Sequence, residues 1–177
     1  MHLHEYLEKR KFDQTPEPET NGQETPHESP VFVVQKHKAS HLHFDFRLEA
    51  DGVLKSWAVP KGPSMNPKDK RLAVQVEDHP LSYAGFSGII PEGNYGAGQV
   101  EIWDNGTYTY IGKFHDIDEA IRQGIVEFEL EGHLLRGIFN LVRTNMDDKE
   151  NNWLLMKKND AYAVHHPYEA VDIPSNN

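Results

Sequence analysis

The chain has 177 residues, 37% of them hydrophobic, and a formal net charge of −10, which suits one ordinary domain and leaves little room for two independent cores. It holds no cysteine, which excludes a disulfide framework, a thiolate zinc site and a cysteine nucleophile together. Runs of large apolar residues such as Val31-Phe32-Val33-Val34 reach only four, too short to cross a bilayer, and residues 1–12 lack the apolar core of a secretory signal, so a cytoplasmic location without membrane attachment is expected.

The first predicted element is a short helix within residues 2–11, with Leu3, Tyr6 and Leu7 on one side. Residues 13–30 hold four prolines and almost no large apolar side chain, too little to offset the entropy of ordering them. Residues 1–30 therefore read as an N-terminal arm, partly helical and then extended or disordered. From Val31 short strands follow one another. Residues 31–36 begin the series. In 41–48 Leu42, Phe44, Phe46 and Leu48 alternate with His41, His43, Asp45 and Arg47, the period of a strand with one buried face. Asp51-Gly52 predicts a hairpin turn into a strand at 53–59 that stops at Pro60. Residues 71–79 alternate again, setting Leu72, Val74 and Val76 opposite Arg71, Gln75, Glu77 and His79.

The glycines at 93, 96 and 98 lack the strand-to-helix setting of a dinucleotide fingerprint and read as turn formers. Strands at 99–104 and 107–111 come next. A helix at 117–123 is capped by Asp116, with Glu119 at the capping-box position and Gly124 closing it. Further strands fall at 125–130, 137–143 and 153–158. The expected fold is mainly β: a small closed or nearly closed antiparallel barrel over 31–160, one or two short helices, and an irregular tail at 161–177. Trp57, Trp103 and Trp153 fall within strand patterns and are expected in the core.

The acidic sum argues against generic binding to polyanions, but it is uneven. Residues 1–30 carry three basic and seven acidic side chains, residues 31–80 eight and six, and residues 81–177 seven and fifteen. The central block alone is not acidic, and it also holds His37, His41, His43 and His79. His43 and Asp45, two apart on a strand, project side by side and can share one cation. His37, across the Lys38-Ala39-Ser40 bend, could supply a third ligand. Two imidazoles and a carboxylate leave open coordination positions and suit manganese, iron(II) or zinc. Arg47 offers a rigid fork for phosphate oxygens, and His79 a proton or a positive charge. A solvated outer face is the plainer explanation for any two of these residues; His41 is best read that way.

The runs FVVQKHKASHLHFDFRLEADGVLKSWAVPKGPS (32–64) and RLAVQVEDHPLSYAGFSGIIPEGNYGAG (71–98) resemble the 3′-phosphoesterase domain of bacterial DNA ligase D. YLEKRKFDQTPEP (6–18) is similar to that family's lead-in and WLLMKK (153–158) to its end. The resemblance implies a small β-barrel enzyme of nonhomologous end joining. Such an enzyme uses manganese, with zinc or cobalt as substitutes, to remove a 3′-terminal ribonucleoside from a primer and then the 3′-phosphate left behind. It implies His37, His43 and Asp45 as metal ligands, and Arg47, His79 and Tyr83 as catalytic groups. Arg10, Glu17, Gln35, Lys61, Arg71 and Glu77 would be substrate-binding positions. The implied partners are nucleic acid 3′ ends, as primer–templates bearing a ribonucleotide or a phosphate, and separate ligase or polymerase repair proteins. Lys11 stands where the family commonly has an acidic residue. Because the chain runs from Met1 to Asn177 without ligase or polymerase modules, a stand-alone member is expected. Two other readings stay open: a cupin-like metal oxygenase or isomerase using His41, His43 and Glu49, and a DNA-end binding module without catalysis.

Overall fold

The computed structural model describes residues 3–144 and 151–175, so the predicted arm lacks its first two residues here and the predicted tail its last two. Helix α1 (His4–Glu8) precedes β1 (Val31–Lys38), β2 (Leu42–Ala50), β3 (Val53–Val59) and β4 (Arg71–His79). After a 3-10 turn at Leu81–Gly85 come β5 (Gly88–Ile90), β6 (Gly98–Tyr110), α2 (Ile117–Gln123), β7 (Ile125–Gly132), β8 (Arg136–Arg143) and β9 (Asn152–Lys157). The strands run in the order β1-β2-β3-β4-β9-β8-β7-β6, and β6 returns to pair with β1. All these pairs are antiparallel, so eight strands close a barrel, while β5 adds to the free edge at the start of β6. Closure removes the unpaired edges that an open sheet would expose. No helix among the described residues is long and apolar enough to span a membrane.

The alternation in β2 sends Phe44, Phe46 and Leu48 into the barrel, where they meet Phe32, Trp57, Trp103, Phe128, Phe139 and Trp153. All three tryptophans are core residues, as the strand pattern predicts. Leu42, at the mouth of the hairpin, is exposed instead. The β2–β3 turn needs positive φ at both central residues, and Asp51 (54°) and Gly52 (77°) supply it, the preference of tight hairpin turns. Helix α2 has its predicted ends: Asp116 accepts a hydrogen bond from the Glu119 amide at 2.9 Å, and Gly124 terminates the helix at φ 82°.

Two expectations change. The strands predicted at 99–104 and 107–111 form one continuous strand, β6. Asp104 lies buried in it and accepts from the amides of His133 and Leu135, at 2.9 and 2.8 Å, so its carboxylate serves the β7–β8 turn instead of ending a strand. The second change lies in β4. Ser56 pairs with Val76 but Leu54 pairs with His79, so three residues of β4 oppose two of β3 and a bulge interrupts the alternation. Gln75 and His79 therefore do not share a face. Gln75 pairs with Trp57 on the interior side, whereas His79 turns to the outer wall.

A second, smaller apolar cluster covers that outer wall. Tyr6 from α1, Leu54, Leu81, Tyr83 and Phe86 around the 3-10 turn, Ile90 of β5 and Val100 of β6 compose it. The barrel wall formed by β1 to β4 is thus buried on both faces over part of its area. Polar side chains on its outer face are sealed beneath the arm and the 3-10 turn.

Candidate active site

The site lies on that outer face. Register brings its residues together: His37 pairs with His43, Gln35 with Asp45, and Arg47 with Ser56 of β3. Directly opposed residues on one face of an antiparallel pair sit about 4.5–5.5 Å apart at Cβ, so a hairpin alone assembles a three-residue ligand group. The predicted bend at 38–40 lies in the turn of that hairpin. The ligand atoms of His37, His43 and Asp45 all lie within 4.8 Å of one another. Among the described residues this is the cluster of histidine and acidic groups with the spacing of a metal site.

The donor set fits a cation. His37 Nε2 lies 2.7 Å from the Gly96 carbonyl and His43 Nδ1 lies 3.1 Å from the His41 carbonyl. A carbonyl only accepts, so each of these nitrogens carries the proton in a neutral ring. The lone pairs then fall on His37 Nδ1 and His43 Nε2, which face Asp45 at 3.5 and 3.2 Å. Two lone pairs directed at a carboxylate repel unless a positive species sits between them. Histidine ligands are oriented in this way by their second nitrogen. A proton on His43 Nε2 is one such positive species. Burial disfavours the charged His43 ring, yet the hydrogen bond and charge of Asp45 raise its pKa. Burial likewise works to raise Asp45, but the Arg47 guanidinium and both imidazoles hold its carboxyl well below the usual range.

Arg47 is fixed beside this group. Its Nε donates to Gln35 Oε1 at 2.7 Å, and the Gln35 amide donates to the carbonyls of Tyr83 and Phe86 at 2.8 and 3.0 Å. The guanidinium lies 3.5 Å from Asp45 and over the Tyr83 ring. His79 Nδ1 lies 2.9 Å from the Glu77 carbonyl and 3.3 Å from Arg47 Nη1. Burial, then Arg47 and Arg10, push its pKa well below the ordinary value, so it is neutral at neutral pH.

The arm completes the wall. Arg10 Nε donates to Glu17 at 3.0 Å, and its Nη2 lies 3.4 Å from His79 Nε2 and 3.7 Å from Glu77. Tyr83 donates its hydroxyl to Glu17 at 2.7 Å. Burial, partly offset by Arg47 and reinforced by Glu17, drives the Tyr83 pKa far up, so it stays a hydroxyl donor. Together these residues line a cavity of about 270 Å³.

Arg10, Glu17, His37, His43, Asp45, Arg47, Glu77, His79 and Tyr83 thus share one cavity, with Gln35 directly behind Arg47. Lys61 and Arg71 lie outside it. They line a separate hollow with Lys68 and Lys70, and Arg71 donates to the Tyr168 carbonyl at 2.6 Å. His41 is exposed and contributes only its carbonyl. Glu49 sits at the far end of β2, accepting from His27 and from the Val31 amide, so the cupin-like ligand set is not assembled. The sequence reading missed the Gly96 carbonyl, because a backbone acceptor leaves no side-chain signal. It also missed Thr15, whose hydroxyl donates to Glu17 at 3.0 Å.

Residues 35–143 match the family model of the DNA ligase D 3′-phosphoesterase domain. The chain is 52% identical over 164 residues to a multifunctional non-homologous end joining protein LigD of Pseudomonas aeruginosa, covering 91% of this chain and 19% of that protein. A multifunctional non-homologous end joining DNA repair protein LigD of Mycobacterium tuberculosis is 47% identical over 145 residues, 82% of this chain and 19% of the relative. The counterpart from Mycolicibacterium smegmatis is 40% identical over 159 residues, 88% of this chain and 20% of the relative. The chain therefore spans about a fifth of the length of the curated relatives it matches.

Proposed function

The chain belongs to the DNA ligase D 3′-phosphoesterase domain family, and from that premise we propose that it is a manganese-dependent enzyme that repairs 3′ ends of nucleic acid in the cytoplasm. It removes a 3′-terminal ribonucleoside from a primer strand and then hydrolyses the remaining 3′-phosphate, leaving a hydroxyl that a ligase or polymerase can use. The observation that carries this reading is the cavity itself, where a His-His-Asp group adjoins two guanidiniums and a neutral buried imidazole.

His37, His43 and Asp45 would hold the manganese, with zinc or cobalt as substitutes. Bound there, a divalent ion supplies Lewis-acid neutralisation of phosphoryl charge and lowers the pKa of water. The chain's own residues do the rest. Arg47, locked by Gln35, presents a fork to two phosphoryl oxygens, and Arg10 approaches from the arm. Tyr83, kept protonated, donates to Glu17 and lays its ring against the Arg47 guanidinium, which holds Arg47 in place. His79, buried between two guanidiniums, is neutral. A phosphoryl dianion offsets those charges and favours the imidazolium, whose proton goes to the leaving 3′ oxygen as the P–O bond breaks and water bonds to phosphorus.

Electrostatic count supports a metal in this role. Arg10, Arg47 and Lys9 face Glu17, Asp45 and Glu77, so the neutral-histidine site has no surplus charge to attract a dianion. A divalent cation gives it one. The test is hydrolysis of a 3′-phosphate primer end with manganese. Arg47→Ala should lower kcat by about 10²–10³, the scale of one oxyanion donor. A variant as fast as the parent protein would remove Arg47 from the mechanism and the reading with it.

A further inference from the structure

Tyr95 is the unexplained residue at the mouth of the cavity. With all three tryptophans sealed in the barrel, any stacking contact to a nucleobase must come from an exposed aromatic ring. Among the described residues the large exposed aromatics are Tyr95, at 48%, and Tyr162, at 46%. Tyr162 lies in the tail beside Arg136, away from the site. Tyr95 lines the active-site cavity next to Gly96 and also borders the adjoining hollow with Glu5, Lys9, Gln75 and Asn151. It therefore forms the rim between the two depressions.

Its position is built, not incidental. Pro91–Gly98 is a chain of tight turns, with the Asn94 amide bonded to the Pro91 carbonyl and the Ala97 amide to the Asn94 carbonyl. Gly96 at φ 76° and Gly98 at φ 140° allow the reversal. At Gly98 a Cβ would lie 2.2 Å from the Lys38 carbonyl, so only glycine lets this loop close on the end of β1. The Gly96 carbonyl, one residue beyond Tyr95, is the group that orients His37. The Tyr95 ring is thereby tied to the ligand group by one peptide unit. Lys9 and Arg10 from the arm lie 4.8 and 5.3 Å from its centroid, a cation–π contact that steadies the ring and sets positive charge beside it.

We propose that Tyr95 is a stacking platform for the base at the 3′ terminus, so that the enzyme selects ends that carry a nucleobase. The inference rests on the proposed action at 3′ ends and adds to it the determinant of which ends are held. Stacking on an aromatic ring is sequence-tolerant because every base has a π-face. The predicted selectivity is therefore for the presence of a base, not for its identity. An exposed tyrosine that only anchors the arm is the competing role, and it makes a different prediction.

The experiment measures Kd by fluorescence anisotropy with manganese present, using two primer–templates that end in 3′-phosphate, one with a normal terminal base and one abasic. The parent protein should bind the base-bearing end about 10-fold more tightly, within the range for one stacked base. Tyr95→Phe and Tyr95→Trp should keep that ratio, and Tyr95→Ala should bring it to about one by weakening only the base-bearing complex. A parent ratio of one, a ratio preserved in Tyr95→Ala, or equal weakening of both ends in that variant would overturn the proposal. Because binding is read, not turnover, an inactive parent protein that kept the ratio would sink the proposed catalysis and leave the platform standing.

Discussion

At the scale of single residues, the site rests on which nitrogen carries a proton. The Gly96 and His41 carbonyls each fix one N–H, and the two remaining lone pairs converge on Asp45. His43→Ala or Asp45→Ala should therefore abolish stoichiometric manganese binding in calorimetry while leaving the barrel folded, since neither residue belongs to the interior cluster. Retained binding in both variants would move the metal elsewhere. Gln35 acts through Arg47, holding its Nε while itself held by two carbonyls. Gln35→Ala should cut activity by about 10–100-fold, as loss of an orienting partner does, with little change in the affinity for manganese. His43, Asp45 and Arg47 were legible from alternation in one strand, and His37 from its place six residues before His43, across a bend. The orienting carbonyl of Gly96 was not, because the pairing of a loop with a ring 59 residues away is set by how β6 closes on β1.

Elements differ in how far local sequence determines them. The β2–β3 turn and α2 follow from Asp51-Gly52 and from the Asp116 cap with Gly124, all local signals. The bulge in β4 does not, since it arises from a register shift against β3 that no alternation within 71–79 encodes. It is nevertheless what delivers His79 to the outer wall. The arm was legible as poor in apolar residues, and the resemblance singled out Arg10 and Glu17, but no local pattern encodes the three long-range contacts that dock it: Arg10 with His79, Glu17 with Tyr83, and Lys9 with Glu77. Glu17→Gln and Tyr83→Phe should couple in a double-mutant cycle of stability by about 0.5–3 kcal/mol; strict additivity would mean the arm is not docked through this pair.

The end of β9 offers a pH test. Lys157 has a fully buried side chain and pairs with Asp160, 2.5 Å away. Burial works to raise Asp160, but the Lys157 hydrogen bond and the amides of Ile138 and Tyr162 lower its pKa below the ordinary value. A lowered carboxylate pKa contributes stability that is complete above the unfolded pKa and lost as pH falls through the folded one. Asp160→Ala should cost about 3 kcal/mol near pH 7, the scale for breaking a buried pair. In urea titrations the difference should shrink as pH drops below about 4. A gap that is constant down to pH 2 would show that the charge of Asp160 does not contribute.

For the whole molecule, a net charge of −10 and a 3′-end substrate are reconciled by distribution. The acidic arm and C-terminal part flank a central block that holds Arg47 and the His37, His43 and Asp45 group, where the proposed cation and phosphate would sit. So few cations face the site that duplex binding should be weak, with a log–log salt slope of about −2 to −3. It should also depend on an accessible 3′ terminus. The central claim is catalysis at that terminus. It is tested most directly by incubating the protein with a primer–template that ends in one ribonucleotide, with manganese or with chelator, and resolving the 3′ products. Manganese should yield first a shortened primer with a 3′-phosphate and then a 3′-hydroxyl, and His43→Ala should yield neither. An intact primer with manganese, or the same products with chelator, would contradict the claim.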